Sequence, residues 1–195
     1  MWKYPNDNTR AVITAKEHIQ SGHNPQNLCL PQTAVLFYMH SGEEYLRKNY
    51  PTHLLCEKLP RFLRGCPVYQ FDLDNHFCFL DGGRGAPQAV DTLETLAALG
   101  VKTIVTVGMF GAFGENINSG DIIIPNKAFV EEGTSLHYYD FIEYSVPSPS
   151  LYQRAVKEIT SAKSFPIVST DAVYRQTFLK EQLWREKGAV GVDME

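Results

Sequence analysis

At 195 residues, 44% of them hydrophobic and 12% aromatic, the chain has enough apolar side chain for a full core and the size of one ordinary domain. Eighteen Lys and Arg against 22 Asp and Glu leave a formal charge of −4 with no basic run, which argues against a surface built to neutralise a nucleic-acid backbone. Cys29, Cys56, Cys66 and Cys78 form no CxxC pair, the N-terminus MWKYPNDNTR has no apolar run or cleavage site, and no apolar stretch reaches the ~20 residues of a membrane span, so the expectation is a reduced cytoplasmic chain without a metal, a disulfide framework or a membrane partner.

Residues 1–33 are polar and broken by Pro5, Gly22, Pro25 and Pro31, and read as an N-terminal arm or irregular cap with a short helix available over Thr9–Ile19. Ala34–Met39 is a compact apolar strand, and Ser41, Glu43 and Glu44 form the acidic first turn of a helix through Asn49. Pro67–Leu73 and His76–Leu80 read as a hairpin turning at Asp74-Asn75. A glycine loop, Asp81–Pro87, leads into a helix over Gln88–Leu99, with Val90, Leu93, Leu96 and Ala97 near one face, Pro87 at its start and Gly100 at its stop. The apolar strand Thr103–Val107 follows, read as buried, and completes a strand–helix–strand unit whose crossover is expected to be right-handed.

Beyond it, Asp121–Pro125 and Lys127–Val130 are further strand material. A helix is predicted from about Ser150 to Thr160 with Ala155, Val156 and Ile159 inward, a strand at Phe165–Val168, and an amphipathic helix over Gln176–Lys187 through Phe178, Leu179, Leu183 and Trp184. Gly188–Glu195 reads as a strand entering a new element. A core strand with nothing after it leaves one side of a sheet uncovered, so the expected domain, residues 34–195, is C-terminally truncated.

Two glycine segments stand where an open α/β sheet keeps its ligand, at strand ends. Gly82, Gly83 and Gly85 offer amides to an anion at a helix start, and Arg84 adds a cation, although a tight turn accounts for the same residues; neither a GxxxxGK[ST] loop nor a dinucleotide fingerprint is present. Gly108-Met109-Phe110-Gly111 follows the strand TIVTV. Its glycines suit close approach by a ligand or positive φ, and Met109 and Phe110 suit either a ligand surface or core.

The ordered segments GGRGAPQAVDTLETLAALG (82–100), TIVTVGMFGAFGENINSGDIIIPNKA (103–128), EEGTSLHYY (131–139), STDAVY (169–174) and VGVDME (190–195) resemble the purine-nucleoside and uridine phosphorylase family across about Ala34–Glu195, with GTSLHYY closest to its uridine-like members. The resemblance implies an α/β fold, a mixed central sheet flanked by helices in a three-layer arrangement shared with nucleosidases. It also implies phosphorolysis of a nucleoside, uridine or a purine nucleoside, to ribose 1-phosphate and free base. Inorganic phosphate would be the co-substrate, with no metal or organic cofactor, and the chain would assemble as a homodimer or a trimer of dimers.

Carried over position by position, Glu195 matches the carboxylate that accepts the ribose 2′- and 3′-hydroxyls, Met194 the residue packed on the sugar, and Asp193 a position where glutamate is usual. Gly82 and Gly83 resemble the loop beneath phosphate. Gly108, Met109, Phe110 and Gly111 resemble the nucleoside-contacting turn, Asp171, Val173 and Tyr174 the base-recognition segment, and His137 a structural support of the pocket.

The departures are as specific as the matches. Thr106 stands where the family carries a phosphate-binding arginine, Met109 replaces a hydroxyl residue, Val173 replaces a stacking phenylalanine, and LPQTAVLFYMHSG (30–42) lacks the early phosphate loop. Arg84, or Arg61 and Arg64 acting on a neighbouring subunit, are the candidate replacements. No catalytic residue and no proton donor to the base can be assigned. Hydrolysis of the same bond and noncatalytic nucleoside binding are the alternative functions.

Overall fold

The computed structural model describes residues 7, 9–23 and 27–195; the remaining residues of the expected N-terminal arm lie outside the described residues. The chain forms two compact units, Asp7–Met109 and Phe110–Glu195.

The first unit contains α1 (Ala15–His18), a π-type turn at Ile19–His23, β1 (Thr33–Phe37), α2 (His40–Asn49), β2 (Thr52–Cys56), β3 (Val68–Phe71), β4 (Asp74–Asp81), α3 (Ala86–Ala98) and β5 (Thr103–Val107). Its sheet runs β2-β3-β4-β1-β5; β1 is parallel to β4 and β5, whereas β2–β3–β4 is an antiparallel meander. The expected strand–helix–strand unit is therefore β4–α3–β5, with β1 lying between its two strands. Because β4 is central, Cys78, Phe79 and Leu80 are buried in succession on both faces. Leu36, Leu59, Val68, Leu80 and Leu96 form the core, each side chain of this kind contributing about 1.5–3 kcal/mol on burial. Pro87 occupies the first turn of α3. At its other end Gly100 (φ +91) lets Val101 N–H donate to Leu96 O at 3.0 Å, a closing loop in which Val101 and Leu96 are both buried. Cys56, Cys66 and Cys78 are free thiols in this core, and Cys29 is free and exposed.

The second unit contains β6 (Gly111–Ala112), β7 (Lys127–Glu131), β8 (Tyr144–Ser145), α4 (Pro149–Glu158), β9 (Pro166–Thr170), α5 (Phe178–Glu186) and β10 (Gly191–Asp193), with sheet order β6-β10-β9-β7-β8. β7, β9 and β10 are mutually parallel, and the short β6 and β8 close the edges antiparallel. Trp184 of α5, 4% exposed, packs with Phe129, Val168 and Val192 and stacks on Phe113 at 5.9 Å between centroids. Its indole N–H donates to Glu131 Oε1 at 2.7 Å, so the polar atom of the one buried side chain of the helix is satisfied from β7.

The mixed α/β class with helices against sheet is as expected, but the hydrogen bonding is divided between two five-stranded sheets. Several local expectations are corrected. The hairpin turns at Asp72-Leu73, not Asp74-Asn75, because packing of Phe71 against Phe77 and Phe79 sets the register and Asp74 pairs with Phe71. β2 is an additional edge strand whose His53 and Leu54 face solvent, which erases the alternation that would announce it. Asp121–Pro125 makes only a bridge, Ile123 with Lys163. β5 lies at a sheet edge with Val105, Thr106 and Val107 exposed, not buried.

On α4, Val156 and Ile159 are exposed and Leu151, Tyr152 and Ala155 form the half-buried face. On α5, Phe178 is 94% exposed and Leu179 and Leu183 also face solvent, leaving Trp184 as the anchor. Among the described residues no helix is long and apolar enough to cross a membrane.

Candidate active site

Parallel strands deliver their carboxyl ends to one side of a sheet, and each unit gathers candidate residues there. In the first unit β1, β4 and β5 release Tyr38, Gly82–Gly85 and Gly108–Met109 together. Tyr38 N–H donates to Val107 O at 2.8 Å and Gly82 N–H to Phe37 O at 3.0 Å. The Tyr38 ring lies on the loop: a Cβ at Gly82 would stand 2.4 Å from Tyr38 Cε1, so only glycine fits.

The loop is internally bonded. Asp81 Oδ1 accepts from Gly83 N–H at 2.7 Å and from Arg84 Nη1 at 2.9 Å, and Gln88 Oε1 accepts from Arg84 N–H at 2.9 Å. Arg61, 5% exposed, braces the loop from inside the unit: Nη1 donates to Asp81 O at 3.1 Å and to Thr92 Oγ1 at 2.6 Å, and Nε donates to Arg64 O. Thr92 Oγ1 also lies 2.9 Å from Gly82 O, to which it can donate. Arg61 is thus bonded within its own chain, while Arg64 is exposed and holds Arg61 through its carbonyl. Met109 and Thr106 face solvent, and Gly108 sits against Tyr38.

Arg61→Met keeps the apolar stem and removes three charge-assisted donations. Destabilisation of roughly 2–4 kcal/mol is expected, read from urea unfolding; an unchanged midpoint would remove the bracing role.

In the second unit β7, β9 and β10 deliver Glu132–His137, Asp171–Tyr174 and Met194–Glu195. Gly133 N–H donates to Asp171 Oδ2 at 2.7 Å, tying the first two segments. Buried Glu132 accepts from Thr134 N–H at 2.6 Å and Ser135 N–H at 3.1 Å, which caps the 3₁₀ turn Thr134–His137. His137 ends that turn on the exposed side, Val173 is exposed, and Tyr174 is 96% exposed. Phe110 covers Gly191, where a Cβ would come within 2.0 Å of its ring, and Gly111 pairs with Val192, so the start of β6 stands at the same strand end.

Two carboxyl groups, those of Asp193 and Glu195, stand at the end of β10. Ser169 Oγ donates to Glu195 O at 2.7 Å. Asp193, paired in register with Ser169, buries Oδ1 without a hydrogen-bond partner. Burial first, and the nearby Glu195 charge second, push the Asp193 carboxyl up to about 7 against a smaller opposing pull from the Ser169 hydroxyl.

The candidates therefore fall into two sets. Gly82, Gly83, Arg84, Arg61, Arg64, Gly108 and Met109 belong to the first unit. Phe110, Gly111, His137, Asp171, Val173, Tyr174, Asp193, Met194 and Glu195 belong to the second, and the chain passes from one unit to the other at Met109–Phe110. Sequence reasoning missed Tyr38, Gln88, Glu132 and Ser169. Ser169, Glu132 and Gln88 carried a signal, as members of the segments STDAVY, EEGTSLHYY and GGRGAPQAVDTLETLAALG, and Tyr38 carried none. Among the described residues no group of three or more His, Cys, Asp or Glu is placed to hold a metal ion.

Parallel strands with glycine turns and an acidic strand end define an α/β protein whose candidate residues gather at the carboxyl ends of its parallel strands. Residues 43–195 match the model of the Phosphorylase superfamily, and the chain belongs to that family. It is 30% identical over 120 residues to the guanosine phosphorylase of Halorubrum lacusprofundi, 58% of this chain and 48% of that protein. It is 34% identical over 99 residues to the uridine phosphorylase of Thermococcus kodakarensis, 47% of this chain and 35% of the relative. These alignments span about half or less of the curated relatives. A crystal structure of uridine phosphorylase from Vibrio fischeri shares the fold, with a TM-score of 0.70 at 23% identity over 85% of this chain and 69% of the other.

Proposed function

We propose that the protein binds a nucleoside and cleaves its N-glycosidic bond by phosphorolysis. The supporting observation is the acidic end of β10, where Glu195 is held by Ser169 beside Asp193 in a chain of the Phosphorylase superfamily. An ionised carboxylate accepts from two vicinal hydroxyls at once, and so favours a ribose over a sugar lacking either. In this reading Glu195, Met194 and Asp193 take the ribose. Phe110, Gly111, Asp171, Val173 and Tyr174 are assigned to the base, as are Gly108 and Met109 of the first unit, and His137 to the support of its segment. Phosphate is assigned to Gly82, Gly83 and Arg84, with Arg61 and Arg64 behind and beside the loop.

As the C1′–N bond breaks, its electron pair leaves with the base, which takes up a proton. A phosphate oxygen forms the new bond to C1′, giving ribose 1-phosphate. The sugar passes through an oxocarbenium-like state, whose positive charge an adjacent carboxylate stabilises. The same reading expects a homodimer or trimer of dimers in solution.

Hydrolysis is the second reading, and one observation favours it: Asp81 and Gln88 oxygens already occupy the amides of Gly83 and Arg84, while Thr106 and Met109 add no cation. Incubation with uridine, guanosine and inosine, each with and without phosphate, separates the readings. Phosphate-dependent ribose 1-phosphate is the expected product. Free ribose would establish hydrolysis, and binding without turnover would leave a noncatalytic homologue.

A further inference from the structure

β7 and β9 are parallel neighbours whose last paired residues are Glu131 and Thr170, so the segments that follow them leave the sheet side by side. The next residue of each strand is a carboxylate, and both carboxylates turn to one stretch of backbone. Glu132 accepts from Thr134 N–H and Ser135 N–H, and Asp171 Oδ2 accepts from Gly133 N–H at 2.7 Å. Three successive amides are thereby held by anionic acceptors, which make stronger hydrogen bonds than neutral ones. Glu132 works within its own turn. Asp171 reaches across from the end of β9, and its bond joins the segment that carries Tyr174 to the segment that carries His137. Packing contributes little to this joining: neither Thr134–His137 nor Val173–Arg175 contains a buried residue, and Tyr174 is 96% exposed.

We propose that Asp171 is a positioning residue for the base: bonded to Gly133 N–H, it fixes the turn Val173–Arg175 relative to the turn Thr134–His137 and so sets the place of Val173 and Tyr174, without itself touching the base. The site then requires an acceptor oxygen at position 171 that reaches Gly133, not a negative charge presented to the ligand. This rests on the nucleoside reading, in which Val173 and Tyr174 are assigned to the base.

The test pairs two measurements on the full chain and on Asp171→Ala and Asp171→Asn: hydrogen exchange of the Gly133 amide by NMR, and the dissociation constants for uridine and guanosine by calorimetry. In the parent the Gly133 amide is expected to exchange more slowly than an unbonded glycine amide. Asp171→Ala is expected to lose that protection and to bind both nucleosides about tenfold more weakly, a loss of the size one hydrogen bond to a charged group produces. Asp171→Asn is expected to restore part of the protection and to bind about threefold more weakly than the parent, because its amide oxygen accepts the same N–H less strongly than a carboxylate does. Parent-like affinity in Asp171→Ala overturns the proposal. So does an Asp171→Asn as weak as Asp171→Ala, which would make the charge itself the requirement, or an Asp171→Ala that binds weakly with Gly133 still protected. An unprotected Gly133 amide in the parent overturns it with no variant needed. If the parent binds neither nucleoside, the nucleoside reading fails and this inference with it; if the parent binds them and any of the overturning results appears, this inference alone fails.

Discussion

Glu195→Ala is expected to weaken nucleoside binding on the order of 10²–10⁴-fold, because two hydrogen bonds to an ionised acceptor, each contributing about 1.5–3 kcal/mol, are lost together. Folding stability should stay close to that of the parent, since the side chain is only half-buried and substitutions at such positions usually shift stability by about 0.5 kcal/mol or less. Affinity from calorimetry and the midpoint of urea unfolding together check this result. A variant that binds uridine and guanosine like the parent would remove the carboxylate from the site. A matched 2′-deoxy nucleoside provides the reciprocal measurement. It should bind the parent poorly and lose much less on substitution, because one of the two hydroxyls is already absent.

The second large effect is on stability. The Asp193 carboxyl is raised from 3.8 to about 7, chiefly by burial, so between those values the folded protein retains a proton that the unfolded chain releases. Stability therefore declines as pH rises from about 4 to about 7, and the penalty is fully present above that window. At about 1.4 kcal/mol per pH unit the span bounds the effect at about 4 kcal/mol. Asp193→Asn carries no charge at any pH. It should be more stable than the parent at pH 8 and should converge on it below pH 4, in paired urea titrations. Equal stabilities at pH 8 would show that water or local rearrangement solvates the carboxylate in place.

The contrast between these two carboxylates shows where sequence reading stops. Glu195 and Asp193 were both identifiable as an acidic strand end, yet nothing in VGVDME shows that both side chains are half-buried and that Asp193 alone carries a buried oxygen without a hydrogen-bond partner. Arg61 is a similar case. Its charge made it a candidate for a neighbouring subunit's phosphate, but packing placed it inside its own unit, on Asp81 O and Thr92.

Elements whose signals are local were readable: the Pro87 start and Gly100 stop of α3, the apolar run of β5, and the acidic first turn of α2. Elements decided by partners were not. β2 earns its hydrogen bonds from β3 rather than from its own alternation, and α5 has the periodicity of a buried helix but is anchored by Trp184 alone. The strand-end location of the candidate glycines was also legible, because each glycine turn directly follows an apolar strand segment. The division of those residues between two sheets was not, since neither pairing nor register is written in any one segment.

The distribution of thiols gives experimenters a convenient handle. Burial pushes Cys66 up to about 12 and Cys78 up to about 11, raises Cys56 as well, and shields all three, whereas Cys29 is open to reagent. Because only a thiolate attacks a maleimide at useful speed, the native chain should take up a single dye at Cys29, and further labelling should report unfolding of the first unit. A fluorescent probe can then be placed without first building a cysteine-free background.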